Sequence, residues 1–469
     1  MIETDLCVIG AGAGGLSVAA GAAQMGARVV LVEGHRMGGD CLNYGCVPSK
    51  ALLAVAKAAE AQRKGFSGVI GTVPQVDYAA AMAHVATTIA AIEPHDSQER
   101  FEGLGVQVLR GWGRFTGPRS LDVNGQIVRA RRFVIATGSR PAIPPIPGLD
   151  VVPYLTNETL FDLRAAPRHL LVLGGGPIGL EMAQAHRRLG CAVTVIEGAR
   201  ALGREDPEAA ALVLTQLRAE GVAIHEGCGV NRVSGSTGAI TLHLADGRTV
   251  EGSHLLVATG RTAAIDRLNL DAAGVVTETG AIRVDDRLRT TNRRVLAIGD
   301  AAGRGQFTHL AGYHAGVAIR SLMFALPARA RADHIPRVTY TAPELAQIGL
   351  TESDARARHG TALTVLRLGF DASDRAMAEG QTRGLIKLMV FKGRPVGVTT
   401  AGHGAGEMIG LWSLAVANRL KLGAIAGTVL PYPTLQELSK RAAGAYFTPK
   451  LFDNPLIKRV VRAVQRWVP

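Results

Sequence analysis

The sequence predicts an α/β protein in which two Rossmann-like dinucleotide-binding domains precede a C-terminal α+β domain. Three observations predict it. VIGAGAGG at 8–15 is answered by VLGGGPIG at 172–179, an internal repeat at an offset of 164 residues. FVIATGSRP at 133–141 is answered by LLVATGRTA at 255–263, each an apolar strand running into Ala-Thr-Gly. From Pro336 onward the pattern turns antiparallel, with LIKLMVF and VGVTT meeting across Lys392, Gly393 and Arg394. At 469 residues the chain is long enough for about three domains, each burying its own core.

Each glycine cluster follows an apolar strand and opens a helical stretch that reaches Gly26 or Gly190 and then a second strand. Those strands, VVLVE at 29–33 and VTVIE at 193–197, end in Glu33 and Glu197, each 23 residues after the first glycine of its motif. One such fingerprint is weak evidence, whereas two in matching context are strong. A backbone that turns tightly and approaches a pyrophosphate needs glycine at Gly10, Gly12 and Gly15, and again at Gly174, Gly176 and Gly179. The following helix turns its positive dipole end toward the phosphates. A glutamate at the end of the second strand accepts hydrogen bonds from an adenosine ribose, which favours an unphosphorylated 2′-hydroxyl. Arg200, three residues after Glu197, is the rival partner for a 2′-phosphate, and the acid favours NAD over NADP.

The Ala-Thr-Gly strands read as partners that close the two nucleotide-binding sheets, with Gly138 and Gly260 at the cofactor edge. VLAIGD at 295–300 ends in Asp300. A carboxylate there either reaches a ligand in the crevice or caps a helix starting at Ala301. In the last domain a helix is expected from about Glu407 to Lys421, with Met408, Leu411, Trp412, Ala415, Val416 and Leu420 on one face.

Hydrophobic residues make up 47% and aromatics 4%, and 57 glycines supply tight turns and close packing rather than disorder. The net charge of +13 suits nucleic acid or a membrane surface, and equally an acidic dinucleotide or a basic bias in composition. No basic run is interleaved with aromatics as nucleic-acid binding would require. No apolar run is long enough to span a bilayer, and Glu3 and Asp5 stand where a signal peptide would be basic, so the expected location is the cytoplasm. Five cysteines, Cys7, Cys41, Cys46, Cys191 and Cys228, are too few and too scattered for a disulfide framework. In a reducing compartment a close pair such as Cys41 and Cys46 is more often catalytic or metal-binding than structural. No further cysteine or histidine pair lies at ligand spacing, so no metal site is expected.

The stretch GGDCLNYGCVPSK at 38–50 carries the chemistry. Cysteines five apart on an ideal helix are beyond disulfide reach, so the segment has to begin as a turn, which Gly45 permits. Pro48 suits the first turn of the helix that follows. Lys50, four residues after Cys46, shares its helical face and favours the thiolate, as does a helix N-terminus.

With these motifs in this order the chain resembles the flavin-dependent pyridine nucleotide-disulfide reductases, the family of lipoamide dehydrogenase, glutathione reductase and mercuric reductase. The resemblance runs from Leu6 to about Phe447 and takes in VTYTAPELAQIGLTE at 338–352 and GAGEMI at 404–409 of a dimerisation domain. It implies that the first fingerprint, with Glu33, Gly138, Asp300 and the helix start at His309, holds FAD. The second, with Glu197 and Gly260, would hold the nicotinamide cofactor. Cys46 would be the flavin-facing sulfur and Cys41 the exposed interchange thiol of a redox-active disulfide. Lys50 and Glu181 resemble the family's ion pair beside the flavin. Electrons would run from NADH through FAD to the disulfide and on to an acceptor, or in reverse as in lipoamide dehydrogenases.

The pattern departs in the last domain. Reductases of small disulfides in this family carry a histidine before Pro-Thr, supplied across the dimer interface and oriented by a glutamate. Here LPYPTLQE puts Tyr432 in the histidine's place and Glu437 in the glutamate's. Tyrosine, with an ordinary pKa of about 10, donates a hydrogen bond but is no base near neutrality. Thr434 to Glu437 also reads as a capping box for the last helix. Mercuric reductases resemble this chain in having tyrosine there, yet they deliver metal through a C-terminal cysteine pair, and no cysteine follows Cys228. The tail LFDNPLIKRVVRAVQRWVP instead groups Ile457, Val460, Val461, Val464 and Val468 on one face, with Lys458, Arg459, Arg462 and Arg466 largely elsewhere. Such a helix packs on its own dimer or lies on an anionic membrane.

The expected organisation is an FAD-binding domain at 1–149 and 268–335, an NAD(P)-binding domain at 150–267, a dimerisation domain at 336–446 and a basic amphipathic tail at 447–469. The expected function is NADH-preferring, FAD-dependent reduction of a small-molecule or lipoyl-protein disulfide by a homodimer, most like dihydrolipoamide dehydrogenase. Metal-ion reduction of the mercuric type and quinone reduction at a membrane surface reached through 455–469 are the alternatives.

Overall fold

A computed structural model describes residues 1–468. The chain forms two units, Met1–Ala199 with Val222–Ala332, and Arg200–Gly221 with the residues from Asp333 onward.

In the first unit the apolar run Ile2–Ile9 lies between parallel neighbours Val29–Glu33 and Gln126–Ile135, with Val106–Arg110 outside Val29–Glu33. A strand so placed is buried on both faces and needs no polar alternation. Gln126–Ile135 is ten residues long, so two neighbours share its far edge. Val295–Ala297 runs parallel to its C-terminal half, and Ser120–Val123 with Gly113–Gly117 extends its N-terminal half antiparallel. The strand leading to Gly138 is therefore interior to its sheet rather than its closing edge, which the extra hairpin 113–123 prevents.

The second repeat builds a four-stranded parallel sheet in the order Ala223–His225, Ala192–Ile196, His169–Leu173, His254–Val257. Here the strand before Ala-Thr-Gly does close the sheet. Beyond the two Ala-Thr-Gly turns the chain continues as Ser139–Pro141 and Arg261–Ala263, which pair antiparallel with each other. The crossover helices Ala13–Gln24 and Pro177–Arg188 start directly after the glycine loops. The core beneath Ala13–Gln24 is aliphatic, around Leu6, Val8, Leu31 and Val134 of the first sheet, while Leu171 and Leu255 of the second sheet pack with Leu242 of the antiparallel strand Ala239–Leu244.

The second unit holds a five-stranded antiparallel sheet, Arg337–Thr339, Glu344–Gly349, Arg394–Gly402, Leu385–Phe391, Leu363–Gly369. Its hairpin turns on two residues, Lys392 at φ 50 and Gly393 at φ 72, the pair of left-handed conformations that suits a tight hairpin. Arg394 pairs with Phe391 and belongs to the strand, not to the turn. Helix Ala405–Ala417 covers the sheet with Trp412, Ala415 and Val416. It stops short of Lys421 because Arg419 adopts a left-handed φ of 53.

Helix Pro207–Ala219 also packs on this sheet, and a buried cluster of charges secures it. Lys387 Nζ, its side chain 3% exposed, lies 2.8 Å from Asp206, 2.7 Å from Glu208 and 3.0 Å from Glu352. Arg367 pairs with Glu208 and Glu352 as well. The last helix, Pro455–Trp467, is capped by Asn454, whose side chain accepts the Leu456 and Ile457 amides. Among the described residues no helix is long and apolar enough to cross a membrane.

Candidate active site

The two glycine loops are built alike down to single atoms. Glu33 accepts the amides of Ala11 at 2.6 Å and His35 at 2.7 Å, and Glu197 accepts those of Gly175 at 2.7 Å and Ala199 at 2.9 Å. Each carboxylate thus ties the end of the second strand to its own loop and keeps lone pairs for a further donor. The first and third glycines are required by the protein itself. A Cβ on Gly10 or Gly174 would lie 2.5 or 2.4 Å from the carbonyl oxygen of Ala136 or Ala258, and one on Gly15 or Gly179 would meet the Gly10 or Gly174 oxygen at 1.8 or 2.1 Å. The middle glycines differ. A Cβ on Gly12 would meet nothing closer than Gly39 Cα at 4.0 Å, and one on Gly176 nothing within 4 Å. Both open spaces lie in front of a helix N-terminus, so the loops fit a dinucleotide pyrophosphate that approaches the bare backbone. Gly138 and Gly260 take φ values of 67 and 125 where each chain leaves its sheet.

The cysteine segment is laid against the first loop. Gly39 at φ 60 leaves no room for a side chain, since a Cβ would lie 2.7 Å from Gly12 Cα. Cys41 sits inside a short helix, Gly39–Asn43, so the segment opens as a helical turn. The helix breaks at Tyr44 and Gly45, where a Cβ on Gly45 would lie 2.9 Å from the Asp40 carboxylate, and Cys46 is the first residue of the new helix Cys46–Lys64. The break is what lets two cysteines five apart face one another.

Cys41 is half-buried and Cys46 exposed, and both are thiols. A hydrogen bond from the Cys41 thiol, with the Thr308 hydroxyl 3.3 Å away and the charge of Lys50, outweighs the partial desolvation of the Cys46 sulfur by the surrounding protein and brings Cys46 down to about 6. The same bond and burial push Cys41 up. The pair is asymmetric, with Cys46 the thiolate and Cys41 the proton holder. Thr308 is the first residue of helix Thr308–Phe324, so two helix N-termini converge on one sulfur. His309, next on that helix, stacks on Phe307 with centroids 5.2 Å apart.

Lys50 Nζ meets Glu181 Oε2 at 2.8 Å, with the Glu181 side chain 6% exposed. The cysteine helix is thereby clamped to the helix of the second fingerprint. Asp300, in the turn Gly299–Ala302, caps nothing with its side chain. It accepts the Ser139 hydroxyl at 2.6 Å, and burial raises its pKa. Arg261 donates Nε to Ser139 Oγ at 2.7 Å and pairs with Asp40 at 2.9 Å, and Asn157 donates to the same Asp40 oxygen at 3.0 Å. Thr308, Ser139, Arg261 and Asp40 were not singled out by the sequence. Arg261 and Ser139 could have been, since each is the residue after one of the Ala-Thr-Gly repeats.

Tyr432 and Glu437 belong to the second unit. The Tyr432 hydroxyl, 67% exposed as a residue, donates to Asp374 at 2.8 Å, and that carboxylate holds the phenol's pKa above its ordinary value. The predicted capping box is not formed. Thr434 donates its hydroxyl to the Pro431 carbonyl instead, and the helix begins at Glu437, which places the glutamate in the first turn against the helix dipole.

Known proteins resemble this chain in sequence and fold. The sequence matches the pyridine nucleotide-disulphide oxidoreductase family over residues 4–315 and the dimerisation domain of that family over 335–443. It is 36% identical to a mercuric reductase of Streptomyces lividans, covering 94% of this chain and 96% of that protein. It is 34% identical to a dihydrolipoyl dehydrogenase of Chlorobaculum tepidum, again over 94% and 96%. The fold superposes on the HOCl-induced flavoprotein disulfide reductase RclA of Escherichia coli, in its Cu(II) complex, with a TM-score of 0.85 at 27% identity, covering 95% of this chain and all of that one. With both family segments matched in order and relatives aligned almost end to end, the chain belongs to the pyridine nucleotide-disulphide oxidoreductases and is a flavin-dependent enzyme that moves electrons between a pyridine nucleotide and a disulfide.

Proposed function

We propose that this enzyme takes electrons from NADH and reduces a small or lipoyl disulfide through Cys41, acting as a cytoplasmic homodimer. The observation that carries the reading is the asymmetry of the pair, a Cys46 thiol brought down to about 6 beside a Cys41 thiol pushed up. FAD, bound at the first loop, supplies the two-electron relay between nicotinamide and disulfide.

The chain's residues do the rest. Two electrons and one proton open the Cys41–Cys46 bond, leaving the thiolate on Cys46 and the proton on Cys41. Cys41 attacks one sulfur of the acceptor disulfide as its proton passes to the other sulfur, which leaves as a thiol. The Cys46 thiolate then attacks Cys41, restores the internal disulfide and frees the second thiol. The Cys41 hydrogen bond, the Thr308 hydroxyl and the charge of Lys50 together keep Cys46 ionised, and Lys50 is itself held by Glu181. Tyr432, kept protonated by Asp374, serves as a hydrogen-bond donor and not as a base. Glu197 supports NADH, because a carboxylate tied to its own loop repels a 2′-phosphate.

A second reading, reduction of a soft metal ion, is favoured by the tyrosine at 432 and by relatives named mercuric reductase. The experiment that separates them is NADH-dependent lipoamide reduction across pH, beside Cys41→Ser and Tyr432→His variants. Turnover in the wild type that disappears in Cys41→Ser supports the disulfide reading. A flavin reduced by NADH with no lipoamide turnover, and turnover with a mercuric salt, would transfer the assignment to metal ions.

A further inference from the structure

Helix Pro455–Trp467 lies beyond residue 443, where the match to the dimerisation domain ends. At about 100° per residue, Leu456, Ile457, Val460, Val461, Ala463, Val464 and Trp467 fall within one arc of about 160°. Lys458, Arg459, Arg462 and Arg466 occupy the opposite arc, and Gln465 sits at the border. The segregation is complete. Apart from half-buried Ile457, the whole apolar arc faces solvent, from 44% exposed at Val464 to 77% at Trp467. Leu451 and Phe452, in the short helix just before it, are exposed as well.

Charge decides what covers this face. From Asn454 to Val468 the segment carries four cations and no acid. A second copy of the helix would bring four more cations along the same rim. An anionic lipid headgroup layer instead neutralises all four while the apolar arc enters the acyl boundary. An indole at the end of the helix suits the interface between the two. At about 20 Å the helix is too short to span the bilayer and lies along it.

We propose that Pro455–Trp467 anchors this enzyme to the surface of a bilayer rich in anionic lipid. The inference does not depend on which acceptor the enzyme reduces. The test is co-sedimentation of the full-length holoenzyme with vesicles of phosphatidylcholine alone and of phosphatidylcholine with phosphatidylglycerol. Binding to the anionic vesicles is expected, weakened by salt and absent with the neutral ones. A variant carrying Val460→Asp and Val464→Asp loses it, and Arg459→Gln with Arg462→Gln lowers the partition coefficient by about fivefold per charge. Reduction of the flavin by NADH, unchanged in both variants, shows that they are folded. Equal sedimentation with both vesicle types, or none with either, overturns the proposal. So does a shift of the Val460→Asp, Val464→Asp variant from dimer to monomer without lipid, which would assign the face to a second copy.

Discussion

Arg261 forms an ion pair with Asp40 at 2.9 Å while its Nε bonds Ser139, so the short helix that carries Cys41 and the turn that carries Asp300 hang on one guanidinium. Removing one partner of a charge-assisted bond costs about 1–3 kcal/mol. Arg261→Gln is therefore expected to weaken FAD retention by about fivefold to a hundredfold. Arg261→Lys restores little, because an ammonium cannot fork between two partners. Equilibrium dialysis of FAD measures it, and equal affinity in all three proteins would refute the coupling.

The reduced enzyme should alkylate in two phases. Cys46, ionised above about pH 6, reacts first, and its rate falls as pH drops through that value because the thiol form takes over. Thr308→Val and Lys50→Met each remove a contribution that favours the thiolate, so both move the inflection to higher pH. An inflection at the ordinary thiol pKa in the wild type would contradict the geometry.

Gly12 and Gly15 should fail differently. Gly12→Ala has open space for its methyl group, so apoprotein melting stays put while FAD content falls. Gly15→Ala drives its methyl group onto the Gly10 carbonyl and lowers melting of the apoprotein itself. The same contrast is expected between Gly176→Ala, read as KM for NADH, and Gly179→Ala, read as stability. Equal melting losses in both members of a pair would count against the ligand-facing assignment.

Lys387→Met leaves buried Asp206 without its cation, while Arg367 still pairs with Glu208 and Glu352, and should cost about 3–5 kcal/mol in denaturant unfolding. The cluster also sets an acid limit. Burial opposes the charge on Glu352, but hydrogen bonds from Arg356, Lys387 and Arg367 outweigh it and hold its pKa at about 2. A depressed carboxylate stabilises the fold above its unfolded value, so this contribution is present at neutral pH and fades between about pH 4.5 and 2. Acid unfolding of Glu352→Gln should be flatter over that window, and an identical pH profile would reject the role.

Both nucleotide loops were legible in the sequence because their glycines answer hard steric limits at fixed spacing. Gly10 and Gly15 have no alternative once the chain must double back on Ala136 and on itself. The Lys50–Glu181 pair could be read only through resemblance, since 131 residues separate its members. Arg261 and Ser139 escaped for a related reason. Their place after the Ala-Thr-Gly repeats marks them as candidates, but their partners Asp40 and Asp300 come from distant segments, so the contacts they make are not written in the local pattern. Thr308 was hidden because one hydroxyl at a helix start has many uses, and only the fold brings it to Cys46. The Thr434 box failed because its hydroxyl, which such a box needs as the acceptor of the Glu437 amide, donates to the Pro431 carbonyl, and that amide bonds the Thr434 backbone carbonyl instead.

The placement of Arg200–Gly221 bears on how this protein can be taken apart. A gene fragment that starts at Asp333 would contain Lys387 but neither Asp206 nor Glu208, and its sheet would lose the helix Pro207–Ala219. Such a fragment carries a buried cation stripped of two of its anions and a bare apolar surface. The portable piece is discontinuous: anyone grafting this sheet onto another reductase has to transplant both stretches and bridge them with a linker.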